Sequence, residues 1–281
     1  MLNALTIDVE DYYHVSGFES LIRFEHWDRY ESRVEQNTHG LLDLLDAYGT
    51  KATFFVLGWV AERHPPLVRT IQARGHEVAS HGYAHRRIYT QTPEEFRQET
   101  RRAIRLLEDA TGQRVFGYRA ASYSITKASL WALEILQEEG FTYDSSIFPI
   151  HHDRYGIPGY QRFCHVLDGR GGHRLLEFPI STLRLAGSNI PIAGGGYFRL
   201  FPYAFIHWAI RRINAKEHQP ALVYLHPWEI DPGQPRIQAN ALARFRHYVN
   251  LEKTEQRLVR LLQDFTFGTV LAVLKERGLL S

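Results

Sequence analysis

Acids and histidines able to hold a metal ion or move a proton recur through the sequence: Asp8, Glu10 and Asp11 near the start, His81 and His85 four apart, and His226 far downstream. Two imidazoles and one carboxylate form the ligand set that divalent zinc, iron or cobalt accepts with positions left open. On a helical turn His81 and His85 would face the same way. Among 15 histidines a pair at this spacing also arises by chance as two surface side chains, so the carboxylates carry the weight. Asp8 and Glu10 flank Val9, so in an extended strand both project to one face, where a cation would offset their repulsion. Asp11 points the other way and is expected in solvent. A solvated strand end paired with arginines is the plainer alternative.

Further candidates share one feature, a position at the end of an apolar run. Arg119 closes Val115 to Tyr118, and the small residues Ala120, Ala121 and Ser122 after it are expected to leave the guanidinium accessible from a cleft. His226 follows Leu222 to Leu225, where an imidazole is either satisfied in the core or faces a site. Asp144 precedes Ser145 and Ser146, where an Asx turn is its structural use. Tyr123, Tyr197 and Trp228 could stack on a sugar ring, although core packing is the commoner use of any one of them. Gly194 to Gly196 reads as a flexible turn lacking a phosphate-binding helix motif, and no Gly-x-Ser-x-Gly elbow occurs, which disfavours a serine triad.

The elements that must position these residues alternate in type. Strands are expected at 5–10, 51–57, 76–80, 115–119, 141–144, 175–180 and 221–226. Helices are expected at 40–48, from Pro65 to Gly75, from the capping box Thr92-Pro93-Glu94-Glu95, from Thr126 to Glu139, after Pro202, and at 254–265 and 270–276. The segment 148–200 is an elaborated, loop-rich region, and 236–281 supplies closing helices. Such alternation implies a parallel sheet, closed or open, with active residues at the carboxyl ends of its strands. Asp8, Glu10, His81, His85, Arg119, Asp144 and His226 all follow or end such a strand.

Composition bounds the rest. With 281 residues, 44% hydrophobic and 23% charged, the chain can bury a large core, and one elaborated domain over 1–281 is the leading expectation. Scattered charges summing to +2 give no footprint for nucleic acid. The single cysteine, Cys164, excludes an internal disulfide, so any metal must rest on histidine and carboxylate. No secretory leader and no membrane span is read, and cytoplasmic residence is the default expectation.

Taken in order, the set Thr6-Ile7-Asp8-Val9-Glu10, Ser80-His81 through His85, Arg119 to Ser122, Asp144-Ser145-Ser146 and Leu225-His226 resembles the five motifs of the polysaccharide deacetylases of carbohydrate esterase family 4. The resemblance spans residues 3–230. Glu177 to Thr182 and Gly194 to Arg199 resemble the subgroup linked to exopolysaccharide and exosortase gene clusters. The resemblance implies an α/β fold, a distorted (β/α)7 barrel, and metal-dependent removal of acetyl groups from N-acetylated carbohydrate. It implies Asp8 as general base, His81 and His85 as metal ligands, Arg119 orienting the base, His226 as general acid and Asp144 steadying that acid. Val9 stands where the family has a second aspartate, so the third ligand falls to Glu10, with Asp11 as the alternative. Zn2+ is the expected cofactor, Co2+ or Ni2+ its substitutes. Ser122, Tyr123, Tyr197 and Trp228 are candidate substrate contacts. A metal amidohydrolase acting on a small amide and a non-catalytic carbohydrate-binding protein are the competing functions.

Overall fold

The apolar run after Met1 forms strand β1, Asn3–Val9, buried along its whole length because both faces of a parallel strand are covered. The computed structural model describes residues 1–168 and 174–280; residues 169–173, inside the expected region 148–200, and residue 281, at the end of the closing segment, lie outside the described residues. By contacts the chain forms two compact units, Met1–Thr53 with Ile192–Ser281, and Phe54–Pro191.

After β1 the first unit continues into helix α1, Val34–Ala47, which starts six residues before the expected position because polar Glu35, Gln36 and Asn37 hide the early turns. Its first turn is held from outside the helix, by Asp11. The second unit takes up the chain within β2, Thr53–Val56, and runs through α2, Gly58–Arg63, and α3, Pro65–Ala73, to β3, Glu77–Ser80. Helix α4, Pro93–Thr111, begins at the expected capping box: Glu95 N–H donates to Thr92 Oγ1 (3.2 Å) and Thr92 N–H to Glu95 Oε2 (2.8 Å). Strand β4, Gly117–Tyr118, helix α5, Trp131–Glu138, and strand β5, Tyr143–Asp144, follow.

Strands β6, His165–Asp168, and β7, Arg174–Glu177, and the hairpin β8, Thr182–Leu185, with β9, Ser188–Pro191, complete this unit. Here β3, β4, β5 and β7 pair in parallel order, and β6 lies antiparallel to β7. The expected 148–200 loop region therefore holds more regular structure than its composition suggests. The hairpin turn uses Ala186 and Gly187, at φ 47° and 81°, the left-handed pair that matches strand twist.

The chain returns to the first unit with α6, Gly195–Leu200, α7, Tyr203–Lys216, and β10, Leu222–Leu225. Next come α8, Ala241–Tyr248, α9, Thr254–Asp264, β11, Phe267–Gly268, and α10, Val270–Glu276. Strand β10 pairs with β1 in parallel, from Ala4 opposite Leu222 to Ile7 opposite Leu225, and β11 pairs in parallel with the start of β1. This register brings the carboxyl ends of β1 and β10 level, so the residues after Val9 and after Leu225 meet. The triple glycine is no free turn: Gly194 bridges Tyr224, and α6 starts at Gly195. A Cβ on Gly194 would fall 1.9 Å from the Tyr224 carbonyl oxygen, so only glycine permits this approach. No described helix is long and apolar enough to cross a membrane.

Candidate active site

In the first unit the level ends of β1 and β10 bring an imidazole against two acids. His226 Nε2 lies 3.4 Å from Glu10 Oε1 and 4.0 Å from Asp8 Oδ2, with both carboxylates buried. Asp8 and Glu10 thus share a face, as alternation across Val9 requires. Trp228 Nε1–H also donates to Glu10 Oε1, at 3.4 Å. The other nitrogen of His226, Nδ1, is 2.7 Å from Glu229 Oε1, the same oxygen that accepts from the His226 backbone N–H at 3.0 Å. Burial alone would depress His226, but the charge of Glu10, the Glu229 bond and the charge of Asp8 outweigh it and raise the pKa to about 9. Glu229 is itself fully buried, and the charge of Arg199 and the His226 bond overcome that burial to hold its carboxyl below the usual range.

Asp11 differs from expectation. It is buried, and its Oδ2 accepts from Ser32 Oγ (2.9 Å), Arg33 N (2.8 Å) and Val34 N (3.1 Å), while Oδ1 accepts from Tyr12 N (3.1 Å). The first backbone N–H groups of α1 need acceptors, and Asp11 supplies one from a distant loop. Trp228 is 4% exposed, stacked between His226 (5.0 Å) and His247 (4.2 Å), so its ring has little face to offer a sugar. Tyr197 is half-buried and stacks on Phe201.

In the second unit His81 and His85 sit in a loop after β3 rather than on a helical turn, with Gly82 at φ 72° and His85 at φ 51°. Backbone bonds from Gly58 N–H to Gly82 O (2.8 Å) and from Trp59 N–H to Tyr83 O (3.0 Å) dock that loop on the start of α2. The two rings lie 5.4 Å apart. His81 is buried, and its Nδ1 is 2.8 Å from the Arg119 carbonyl oxygen; donating there, the ring carries its lone pair on Nε2.

Arg119 is fully buried, not set in an open cleft. Its Nε and Nη2 donate to Ser145 O (3.1 Å) and Oγ (3.0 Å), and its guanidinium lies 4.1 Å over Phe55. Ser122 and Tyr123, at φ 51° and 52°, occupy the left-handed region, and Tyr123 packs as core. Asp144 accepts from Ser146 Oγ (2.5 Å) and Ser146 N (3.1 Å). It also pairs in register with Glu177, and burial raises both carboxyls. The resemblance gives Asp144 the part of steadying the acid; the carboxylate observed on His226 Nδ1 is that of Glu229.

Sequence reasoning therefore missed Glu229, Arg199 and Glu177. The first carried a signal: His226-Pro227-Trp228-Glu229 has proline at the first helical position and an acid three residues after the cap. Arg199 and Glu177 stood in the two stretches that carried the subgroup resemblance, but nothing local in sequence gave either a part at the site.

The donors suit a divalent cation. Glu10 in the first unit and His81 and His85 in the second are of the types that could hold one. Only oxygen and imidazole nitrogen are offered, and His81 has the backbone-anchored orientation usual for a ligand.

Fold and chemistry together define an α/β protein with acids and imidazoles at the carboxyl ends of parallel strands. Comparison with known proteins narrows this class. Residues 24–143 match the family model described as polysaccharide deacetylase, and residues 145–275 match a model described as a domain of unknown function. A peptidoglycan deacetylase-like protein of Gibberella zeae is 34% identical over 109 residues, 38% of this chain and 31% of that protein. A peptidoglycan deacetylase of Helicobacter pylori is 31% identical over 113 residues, 40% of this chain and 37% of that protein. The chain thus spans about a third of the length of these curated relatives. The crystal structure of a putative polysaccharide deacetylase from Mycobacterium smegmatis matches 97% of this chain and 88% of its own, at TM-score 0.63 and 22% identity. That likeness shows the fold, and the expected α/β class is borne out. Residues 24–143 are thus similar to polysaccharide deacetylases, as are the stretches matched in the two relatives.

Proposed function

We propose that the chain is a metal-dependent deacetylase that removes acetyl groups from N-acetylated amino sugars of a poly- or oligosaccharide, an exopolysaccharide or its precursor, with residues 1–281 as one catalytic domain. The observation that carries this reading is His226, whose Nδ1 rests on a carboxylate and whose Nε2 faces Asp8 and Glu10. Glu10, His81 and His85 are the proposed ligands of Zn2+, with Co2+ or Ni2+ as substitutes. Glu10 is preferred to Asp11 because both Asp11 oxygens already accept hydrogen bonds from the chain. When bound, the cation would lower the pKa of water from ~16 towards ~7 and polarise the acetyl carbonyl.

The chain's own residues then divide the proton work. Asp8 accepts a proton from the attacking water, and Arg119 takes the base-orienting part. His226, held through Nδ1 by Glu229, delivers a proton from Nε2 to the leaving amine, so that N-acetyl group and water give acetate and free amine. Ser122 and the partly exposed Tyr197 are the proposed sugar contacts. Tyr123 and Trp228, both buried, are left to packing.

Acetate release from an oligomer of N-acetylglucosamine tests the reading. The native chain is expected to release acetate. His226→Ala is expected to keep its metal and lose roughly 10²–10⁴-fold in kcat. His81→Ala is expected to lose both metal and turnover. An active His226→Ala enzyme would overturn the acid assignment.

A further inference from the structure

Arg199 is a fully buried guanidinium that the reaction outlined above leaves without a part. Its Nε donates to Glu229 Oε2 at 2.6 Å, while the opposite oxygen of the same carboxylate, Oε1, holds His226 Nδ1 at 2.7 Å. The remaining guanidinium donors close the end of α8: Nη1 bonds His247 O (2.8 Å) and Val249 O (2.9 Å), and Nη2 bonds Arg246 O (3.1 Å). Arg199 thus has a hydrogen bond on each of its three nitrogens and cannot turn without breaking the α8 terminus. Its own position is set by α6, whose entry is fixed by the Gly194 pairing with β10.

We infer that Glu229 and Arg199 form a positioning pair for His226, keeping a proton on Nδ1 when Nε2 gives up its own and aiming Nε2 at the acids after β1. The logic is steric and electrostatic. A carboxylate on Nδ1 accepts the proton there and so commits Nε2 to the reacting side. A carboxylate with one charge-assisted bond on each oxygen has no alternative rotamer of equal energy. The inference rests on the acid role proposed for His226, but the orientation it describes exists in the metal-free chain and is measurable there.

Two readouts separate the ideas. In metal-free protein, a low-field proton resonance absent from His226→Ala reports the Nδ1–H bond to a carboxylate. It is expected in the native chain and expected to move upfield in Glu229→Gln. In the metal-loaded enzyme, Glu229→Gln is expected to lower kcat about 100-fold with KM within about twofold and metal content unchanged. Arg199→Lys, which keeps a charge on Glu229, is expected to retain more turnover than Glu229→Gln, with thermal melting confirming that each variant folds. An unchanged resonance and unchanged kcat in Glu229→Gln would overturn the pair. Full turnover in His226→Ala would instead remove the acid reading, and the resonance would still decide the Nδ1–H bond.

Discussion

Glu10 and Asp11 are adjacent acids of similar reach, yet their surroundings commit them to different work. Asp11 ties Ser32, Arg33 and Val34 to the strand end, so Asp11→Ala is expected to destabilise the fold by ~2–3 kcal/mol while leaving metal content intact, as read by chemical denaturation and metal analysis. Glu10→Ala is expected to do the reverse. The spacing of Asp8 and Glu10 was legible in the sequence because strand alternation has a fixed period; the burial of Asp11 was not, because its partners lie over twenty residues downstream. His247 makes a separate pH statement. Burial, helped by the Arg199 charge, pushes its pKa down to about 3, so the folded chain keeps it neutral. The unfolded chain protonates it below about 6.5, and its share of stability is therefore present above that pH and lost as pH falls towards 3. Between pH 7.5 and 5 the native chain should lose ~2 kcal/mol through this group. His247→Phe, which keeps a ring on Trp228 but loses the Gln234 bond, should be less stable at pH 7.5 and show a flatter pH dependence of its urea midpoint.

Among the elements, those with end signals were legible and those stabilised by distant contacts were not. Helix α4 announces itself by Thr92, Pro93 and Glu95, and α10 was read at its observed bounds. Helix α2 escaped notice because six residues ahead of Pro65 offer too little periodicity. The hairpin of β8 and β9 lacks the Asn-Gly or Asp-Gly signal, using Ala186 at φ 47° instead. Helix α6 is the sharpest case. Its sequence opens on glycines, poor helix formers, and the helix exists because Gly194 pairs with β10 and Arg199 anchors its end. Gly194→Ala should therefore cost at least ~2 kcal/mol, since its Cβ meets the Tyr224 carbonyl and its φ of 126° excludes ordinary side chains. A fall in thermal midpoint with reduced turnover is the expected result, because the same segment carries Arg199.

At the scale of the whole molecule, the α/β class was legible from alternation alone, and the likeness over 97% of the chain agrees. The resemblance added the barrel and the reaction, which spacing could not supply. The proposed reaction ties turnover to the cation that Glu10, His81 and His85 are proposed to hold. Binding to the folded chain should also stabilise it, by ~2.7 kcal/mol at a concentration 100 times the dissociation constant. The thermal midpoint of metal-stripped protein should accordingly rise on titration with Zn2+. The most direct measurement is acetate release from an N-acetylglucosamine oligomer by metal-stripped protein, with and without added Zn2+ or Co2+, beside Glu10→Ala and Asp11→Ala. Activity restored by metal in the native chain and in folded Asp11→Ala, but not in Glu10→Ala, is the expected outcome; acetate released equally without metal, or by Glu10→Ala, would contradict it.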